Sequence, residues 1–320
     1  MDRPSPPVPV VLDVDTGVDD ALALLYAVAS PALDLRLVTC VGGNTGLDEV
    51  VANTVAVLGV AGCEVPVHRG HAHPLSGPRP PAEAWHGTDG LMGCRPDVPV
   101  RAVQPEHAVE AVAALALELG SAPARLTVVP LGPLTTVAAL LTADHAVAGR
   151  LEAVHFMGGS GVGGNVTAAA EFNVHHDPEA AAAVLASGAR VRMYGLEVFD
   201  QVRLPRPDID ALRQETHPVL RLAGDLCHAS AARSRTDDAC LGDAGAVAAL
   251  VRRDLVSTVV RDVAVETGDG PARGATVVDR RPRGRERSWQ GDPVEVHEAV
   301  DGPALAAHWL VTLRDAFSRA

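Results

Sequence analysis

Residues 13–20 read Asp-Val-Asp-Thr-Gly-Val-Asp-Asp, four carboxylates in eight positions directly behind the apolar run 8–12. Charges this close repel one another unless a cation or bound hydroxyls compensate them. Oxygen donors of this kind suit a hard cation, Ca²⁺ or Mg²⁺. The plainer reading is a solvated acidic turn leading into a helix, with Asp19 and Asp20 placed in its first turn by the helix dipole. Four acids bracketing a glycine at the end of a buried strand favour the cation.

The elements that must position these acids follow from periodicity. Short Val- and Leu-rich runs at 8–14, 35–41, 126–130, 151–157 and 191–194 read as strands. Ala-rich runs at 18–30, 47–61, 106–120, 134–141 and 178–188 read as helices between them. Such alternation implies an α/β fold: a single domain over residues 8–317 with a mainly parallel sheet flanked by helices. In such sheets ligands bind beyond the C-terminal strand edges. The polar turns 13–20, Gly42-Gly-Asn44, Leu131-Gly-Pro133 and Gly158-Gly-Ser-Gly161 each follow a strand, so they converge on one rim.

Two segments break the alternation and are expected as active-site loops. Residues 69–104 are rich in Pro and Gly and contain Trp85-His-Gly-Thr-Asp-Gly90. Residues 225–241 carry His228, Arg233, Arg235 and paired acids, and read as a mobile flap. The part from 256 to 300 reads as strand-rich, and 303–317 as a closing helix.

Composition narrows the function classes. A hydrophobic content of 47% with only 3% aromatics describes a globular chain whose core is built from Ala, Val and Leu. A net charge of −13 argues against nucleic acid or an anionic membrane as partner. The chain has no lysine, so every basic residue apart from histidine is Arg. Five cysteines without CxxC spacing make a disulfide framework or a zinc site unexpected. No signal-peptide pattern or membrane-length apolar run is present, so a cytoplasmic location is expected.

The blocks Asp13-Val-Asp-Thr-Gly-Val-Asp-Asp-Ala21, Leu131-Gly-Pro-Leu-Thr-Thr136, Phe156-Met-Gly-Gly159, Asn165–Ala181 and Thr276-Val-Val-Asp-Arg-Arg281 occur in that order. Together they resemble the calcium-dependent, inosine–uridine-preferring nucleoside hydrolases over nearly the whole chain. That resemblance implies a Rossmann-like fold, a nucleoside substrate, a place in purine or pyrimidine salvage, and a homodimer or homotetramer. It implies Ca²⁺ held by Asp15, Asp20, the Leu131 carbonyl and Asp243, completed by the sugar's 2′ and 3′ hydroxyls and a water against Asp15. Asp19, Asn44, Asn165, Glu171 and Asn173 match the ribose clamp, with Met157 against the sugar. Read without the resemblance, each Asn is an ordinary turn or cap residue. His86 is a candidate sugar or base contact, or a structural loop histidine. His175 and His176 read as caps of the helix beginning at Asp177-Pro178.

Breaking an N-glycosidic bond builds positive charge on the ribose, which anionic groups around the ring stabilise. Calcium acidifies water far less than zinc, so a carboxylate must act as general base, and Asp15 fits that role. One departure stands out. Many members of the family carry His-Asp or Trp-Asp where this chain has Gly242-Asp243, and glycine can neither protonate a departing base nor stack on it. The family's flap tyrosine has no counterpart between 225 and 240. His228, Arg235, Asp237, Asp238 or His86 are the candidates to replace them, and Gly242→His is expected to restore the missing group. Two other readings compete. One is a nucleoside or ribose binder of weak or altered activity. The other is a phosphatase using Asp13-Val-Asp15 as a nucleophile loop, which the absence of lysine disfavours.

Overall fold

The computed structural model describes residues 6–77, 87–99, 101–120, 125–282 and 291–318. The first half runs β1 (Val8–Val14), α1 (Val18–Ala29), β2 (Leu33–Cys40), α2 (Leu47–Val60), β3 (Val67–Arg69), α3 (Ala108–Leu119), β4 (Leu126–Pro130) and α4 (Thr135–Ala143). Next come α5 (His145–Ala148), β5 (Leu151–Met157), α6 (Phe172–His176), α7 (Pro178–Leu185), β6 (Val191–Tyr194) and α8 (Leu196–Phe199). Then follow β7 (Arg203–Pro205), α9 (Arg206–Arg213), α10 (Pro218–Ser234), β8 (Asp238–Cys240) and α11 (Asp243–Val251). The chain closes with β9 (Val256–Val265), β10 (Thr276–Val278), β11 (Asp292–Val300) and α12 (Gly302–Phe317).

The strands form one sheet in the order β3-β2-β1-β4-β5-β6-β11-β9-β10, parallel from β3 to β11 and antiparallel at β9 and β10. β7 and β8 pair separately and antiparallel. Side-chain alternation on β1 shows why two layers of helices form. Val10, Leu12 and Val14 join one core with α1, α2, α11 and α12, whereas Val11 joins the other with α3, α4 and α7. The expected single α/β domain is what the structure has.

The strand order sets the position of the site. From β1 the chain winds outward through β2 to β3, then returns to place β4 on β1's other side. The loops leaving β1 and β4 therefore diverge, opening the crevice where ligands bind in such sheets. β1 leads into Asp15 there, and β4 into Leu131.

The flap reading of 225–241 is corrected. Most of it is the second half of α10, which starts at Pro218 with the His217 side chain accepting from the Val219 N–H. Leu222, Leu226 and Cys227 bury one face, while Asp225 pairs with Arg213 at 2.9 Å on the other. Of the charges that suggested a loop, Asp225, His228 and Arg233 lie on the helix, Arg235 ends it, and Asp237 and Asp238 follow it. α10 stops at Arg235, whose φ of +56° is left-handed. The two histidines also move: His175 and His176 end α6, and the carboxylate of Asp177 caps α7 through the Ala180 N–H. No helix among the described residues is long and apolar enough to cross a membrane.

Candidate active site

Asp15 follows β1 directly and is 1% exposed. Its carboxylate lies between two glycines: a Cβ on Gly43 would fall 2.0 Å from Oδ2, and one on Gly132 2.7 Å from Oδ1. Only residues without a side chain leave it room. The Asn44 N–H donates to Oδ2 at 2.7 Å. Asp20 folds back onto the same turn, accepting from the Asp15 N–H at 3.2 Å, the Gly17 N–H at 2.9 Å and the Asn44 amide at 3.3 Å. Asn53 of α2 fastens the turn to the loop at Asp89 by donating to the carbonyls of Thr16 and Asp89.

Two helix N-termini supply the remaining acids. Asp19 and Asp20 lie in the first turn of α1, and Asp243 opens α11. One carboxylate oxygen from each of these three residues lies within 4.8 Å of the others. Burial raises the Asp243 carboxyl well above the usual range, and the charges of Asp19, Asp20 and Asp15 add to the effect. Asp15 is likewise raised by burial and then by Asp20. Burial, with Asp19 beside it, pushes Asp20 up to about 7. Uncompensated, Asp15, Asp20 and Asp243 are held back from ionising. A divalent cation would remove the conflict, and its oxygen donors fit Ca²⁺, whose ligands at 2.3–2.6 Å stand at most about 5 Å apart.

The opposite wall comes from β5 and α6. Glu171, 2% exposed, caps α6 through the N–H groups of Asn173 and Val174 and also accepts from the Gly159 N–H at 2.9 Å. Burial pushes its carboxyl up to about 7 against these donors. The Asn173 amide donates to the Leu131 carbonyl at 2.7 Å and to the Met157 carbonyl at 3.1 Å. Asn165 is exposed, and its Oδ1 accepts from the Phe172 N–H at 2.9 Å, closing the loop over Glu171.

A cavity of about 780 Å³ joins the two walls. The sequence-predicted residues line it except Asp20, which backs the turn, and His86, which lies outside the described residues. Asp13 is not on its wall: the carboxylate is fully buried and receives the Thr39 hydroxyl at 2.5 Å. Sequence reasoning missed Phe172 and Phe199, two of the chain's four phenylalanines, which both line the cavity. Phe172 stood inside the quoted Glu171-Phe-Asn173, but no pattern marked Phe199. Of the flap candidates, Arg235 lines the cavity together with Arg233. His228 is instead held by Arg206 at 2.9 Å, and Asp238 by Arg203 at 2.8 Å.

Gly242 overturns the expected Gly242→His repair. Its φ of +50° and ψ of −117° favour glycine, and a Cβ would lie 2.7 Å from Asp19 Oδ2 and 2.8 Å from Phe199 Cζ. The Phe199 ring and the Asp19 carboxylate fill the space a side chain would enter.

The family model described as inosine-uridine preferring nucleoside hydrolase matches residues 10–307. A pyrimidine-specific ribonucleoside hydrolase, RihA, of Photobacterium profundum is 36% identical over 278 residues, 85% of this chain and 89% of that one. A non-specific ribonucleoside hydrolase, RihC, of Shigella dysenteriae is 36% identical over 92% of this chain and 93% of that one. Among solved structures, the plant nucleoside hydrolase PpNRh1 superposes with a TM-score of 0.87 at 29% identity, covering 96% of this chain and 99% of the other. A purine-preferring ribonucleoside hydrolase from Gardnerella vaginalis gives 0.84 at 29% identity, covering 98% and 100%. With a matching family model across nearly its whole length and relatives above one-third identity, the chain belongs to the inosine–uridine preferring nucleoside hydrolase family.

Proposed function

We propose that the protein is a Ca²⁺-dependent hydrolase of the N-glycosidic bond of ribonucleosides, releasing free base and ribose. The observation that carries this reading is the convergence of Asp19 and Asp243 with Asp15 beside them at the floor of a cavity large enough for a nucleoside, Asp20 lying directly behind them. Asp15, Asp20, Asp243 and the Leu131 carbonyl would hold the ion. The carbonyl keeps a lone pair after accepting from Asn173. Bound there, Ca²⁺ would neutralise the acidic floor and fix the ribose diol.

The rest of the chemistry belongs to the chain. The Asp15 carboxylate, held by the Asn44 N–H on Oδ2, takes the proton of the attacking water. The water oxygen bonds to C1′ as the C1′–N bond breaks, and the base leaves with the bonding pair. The carboxylates of Asp15, Asp19 and Glu171 stabilise the positive charge that develops on the ring. Asn44 and Asp19 take the diol side of the ribose, while Asn165, Glu171 and Asn173 take its 3′ and 5′ hydroxyls. The base lies toward Phe172 and Phe199 and toward the rim at Arg233 and Arg235. Guanidinium groups do not deliver protons near pH 7, but they hydrogen-bond and stabilise a base departing as an anion. The relatives' names differ in base preference, from pyrimidine-specific through non-specific to purine-preferring; in this reading the rim beside the base is the place for that choice.

The test is the diol. Ribonucleosides and their 2′-deoxy analogues are compared by base release with Ca²⁺ present. Loss of a hydroxyl from a site built for it is expected to lower kcat/KM by roughly 10⁴-fold. Equal turnover of uridine and deoxyuridine would refute the proposed binding of the sugar.

A further inference from the structure

Thr276-Val-Val-Asp-Arg-Arg281 has no part in the chemistry above. It forms and follows β10, at the edge of the sheet, yet its side chains reach the loop that leaves β5. Thr276 Oγ1 accepts from the Ser160 N–H at 2.6 Å and donates to the Ser160 carbonyl at 2.7 Å, a pair of bonds that fixes one peptide segment from both sides. Arg280 donates to Glu197 Oε1 at 2.6 Å, and that oxygen also accepts from the Gly161 N–H at 2.8 Å. The Leu196 N–H holds the Gly159 carbonyl at 3.1 Å. Three ties thus converge on residues 159–161.

The packing leaves that segment little freedom. Gly159 has a φ of +72°, and a Cβ there would meet Thr276 Cγ2 at 2.9 Å. A Cβ on Gly161 would meet the Arg280 guanidinium at 2.8 Å and Glu197 Oε1 at 2.9 Å. Thr276 is 7% exposed and the Glu197 side chain 6%. What the strap immobilises is the Gly159 N–H, which donates to Glu171 Oε2 at 2.9 Å. The other donors to Glu171, the N–H groups of Asn173 and Val174 among them, come from its own helix. Among the described residues, the Gly159 bond is what ties the carboxylate to the loop leaving β5, and so it helps set how the carboxylate is turned.

We infer that Thr276 and the Arg280–Glu197 pair are positioning residues that aim Glu171 at the 5′-hydroxyl of the ribose. This rests on the proposed assignment of Glu171 to the sugar. The edge strand thereby contributes to recognition of the substrate without touching it. A strap of this kind also explains why an exposed arginine after the edge strand is paired with a nearly buried glutamate of α8.

The experiment measures kcat/KM for a ribonucleoside, its 5′-deoxy analogue and its 2′-deoxy analogue in the wild type, Thr276→Val, Arg280→Met and Glu197→Gln. In the wild type, removing the 5′-hydroxyl is expected to cost about 10- to 100-fold, the scale of a hydrogen bond to a charged group, and Thr276→Val should shrink that ratio to about threefold. The 2′-deoxy ratio should stay at its wild-type value, since the 2′-hydroxyl is assigned to the side of Asp19 and Asn44. Arg280→Met and Glu197→Gln should shrink the 5′ ratio part of the way. Arg280 is partly exposed, so its substitution carries the test if Thr276→Val fails to fold. Variants that lose activity on all three substrates in proportion, with both ratios retained, would reduce the strap to scaffolding and overturn the inference. A wild type indifferent to the 5′-hydroxyl would instead place the error in the assignment of Glu171, and the inference would fall with it.

Discussion

Asp13 and Asp15 stand two positions apart, but their surroundings make them different chemical groups. Asp13 is sealed in the sheet against the Thr39 hydroxyl, and burial pushes its carboxyl up to about 7. An amide can accept the same hydroxyl, so Asp13→Asn should keep kcat within a few-fold of wild type. Asp15→Asn cannot take a proton from water and should lose roughly 10²–10⁴-fold, more if the cation site is damaged. Similar losses for the two variants in a base-release assay would refute this division. Arg235 offers a second contrast. Arg235→Ala should slow inosine or uridine by about tenfold, the worth of a charge-assisted bond, while sparing p-nitrophenyl riboside, whose leaving group needs no help. Equal slowing would remove Arg235 from leaving-group stabilisation. Spacing alone could not separate Asp13 from its neighbours, since the distinction lies in Thr39, a residue of the next strand. Phe199 was invisible for the same reason: it reaches the cavity only because α8 packs beside the turn at Gly242.

At the scale of elements, α11 begins at a point where the backbone takes a left-handed turn and the first helical side chain is Asp243. Gly242→His would force a side chain into that φ and against Asp19 and Phe199. It should therefore lower the melting temperature and the affinity for Ca²⁺ together, and reduce activity on natural nucleosides. A variant with unchanged melting temperature and higher turnover of inosine would show that the turn accommodates the imidazole. The strands of the first two-thirds were legible because short Val- and Leu-rich runs ended at turn residues. α1, α2, α3 and α7 were legible from their Ala-rich runs. The second half of α10 reads as a loop because Asp225, His228 and Arg233 stand among small residues, and after Cys227 only Ala231 continues its buried face. β3 and α8 are too short to show a period. Their placement depends on partners elsewhere in the chain.

For the whole molecule the buried acids make stability a function of pH and, in the proposed reading, of cation together. Asp20 and Glu171 have carboxyls pushed up to about 7 in the folded chain, against ordinary values of 3.8 and 4.5. The folded state thus holds protons the unfolded chain has released. Their contribution to stability is complete below the ordinary carboxyl range and is lost as pH rises through about 7. Without divalent cations the melting temperature should fall between pH 5 and pH 8. Calcium at 100 times its Kd would return about 2.7 kcal/mol, with the larger shift at pH 8, where the ligands ionise readily. A melting temperature indifferent to Ca²⁺ at pH 8 would remove the cation from the acidic floor.

The reversal of strand order between β1 and β4 also divides the site between two stretches of chain. A gene cut between the codons for Leu119 and Leu126 would encode one fragment with Asp15, Asp19, Asp20 and Asn44, and another with Leu131, Glu171, Asn173 and Asp243. Each carries only part of the cluster, and the seam at which they would rejoin is the β1–β4 ladder together with the packing of α1 on α11 and α12. Fusing each fragment to one of two interacting proteins would turn their encounter into released base, a split reporter switched off by a chelator.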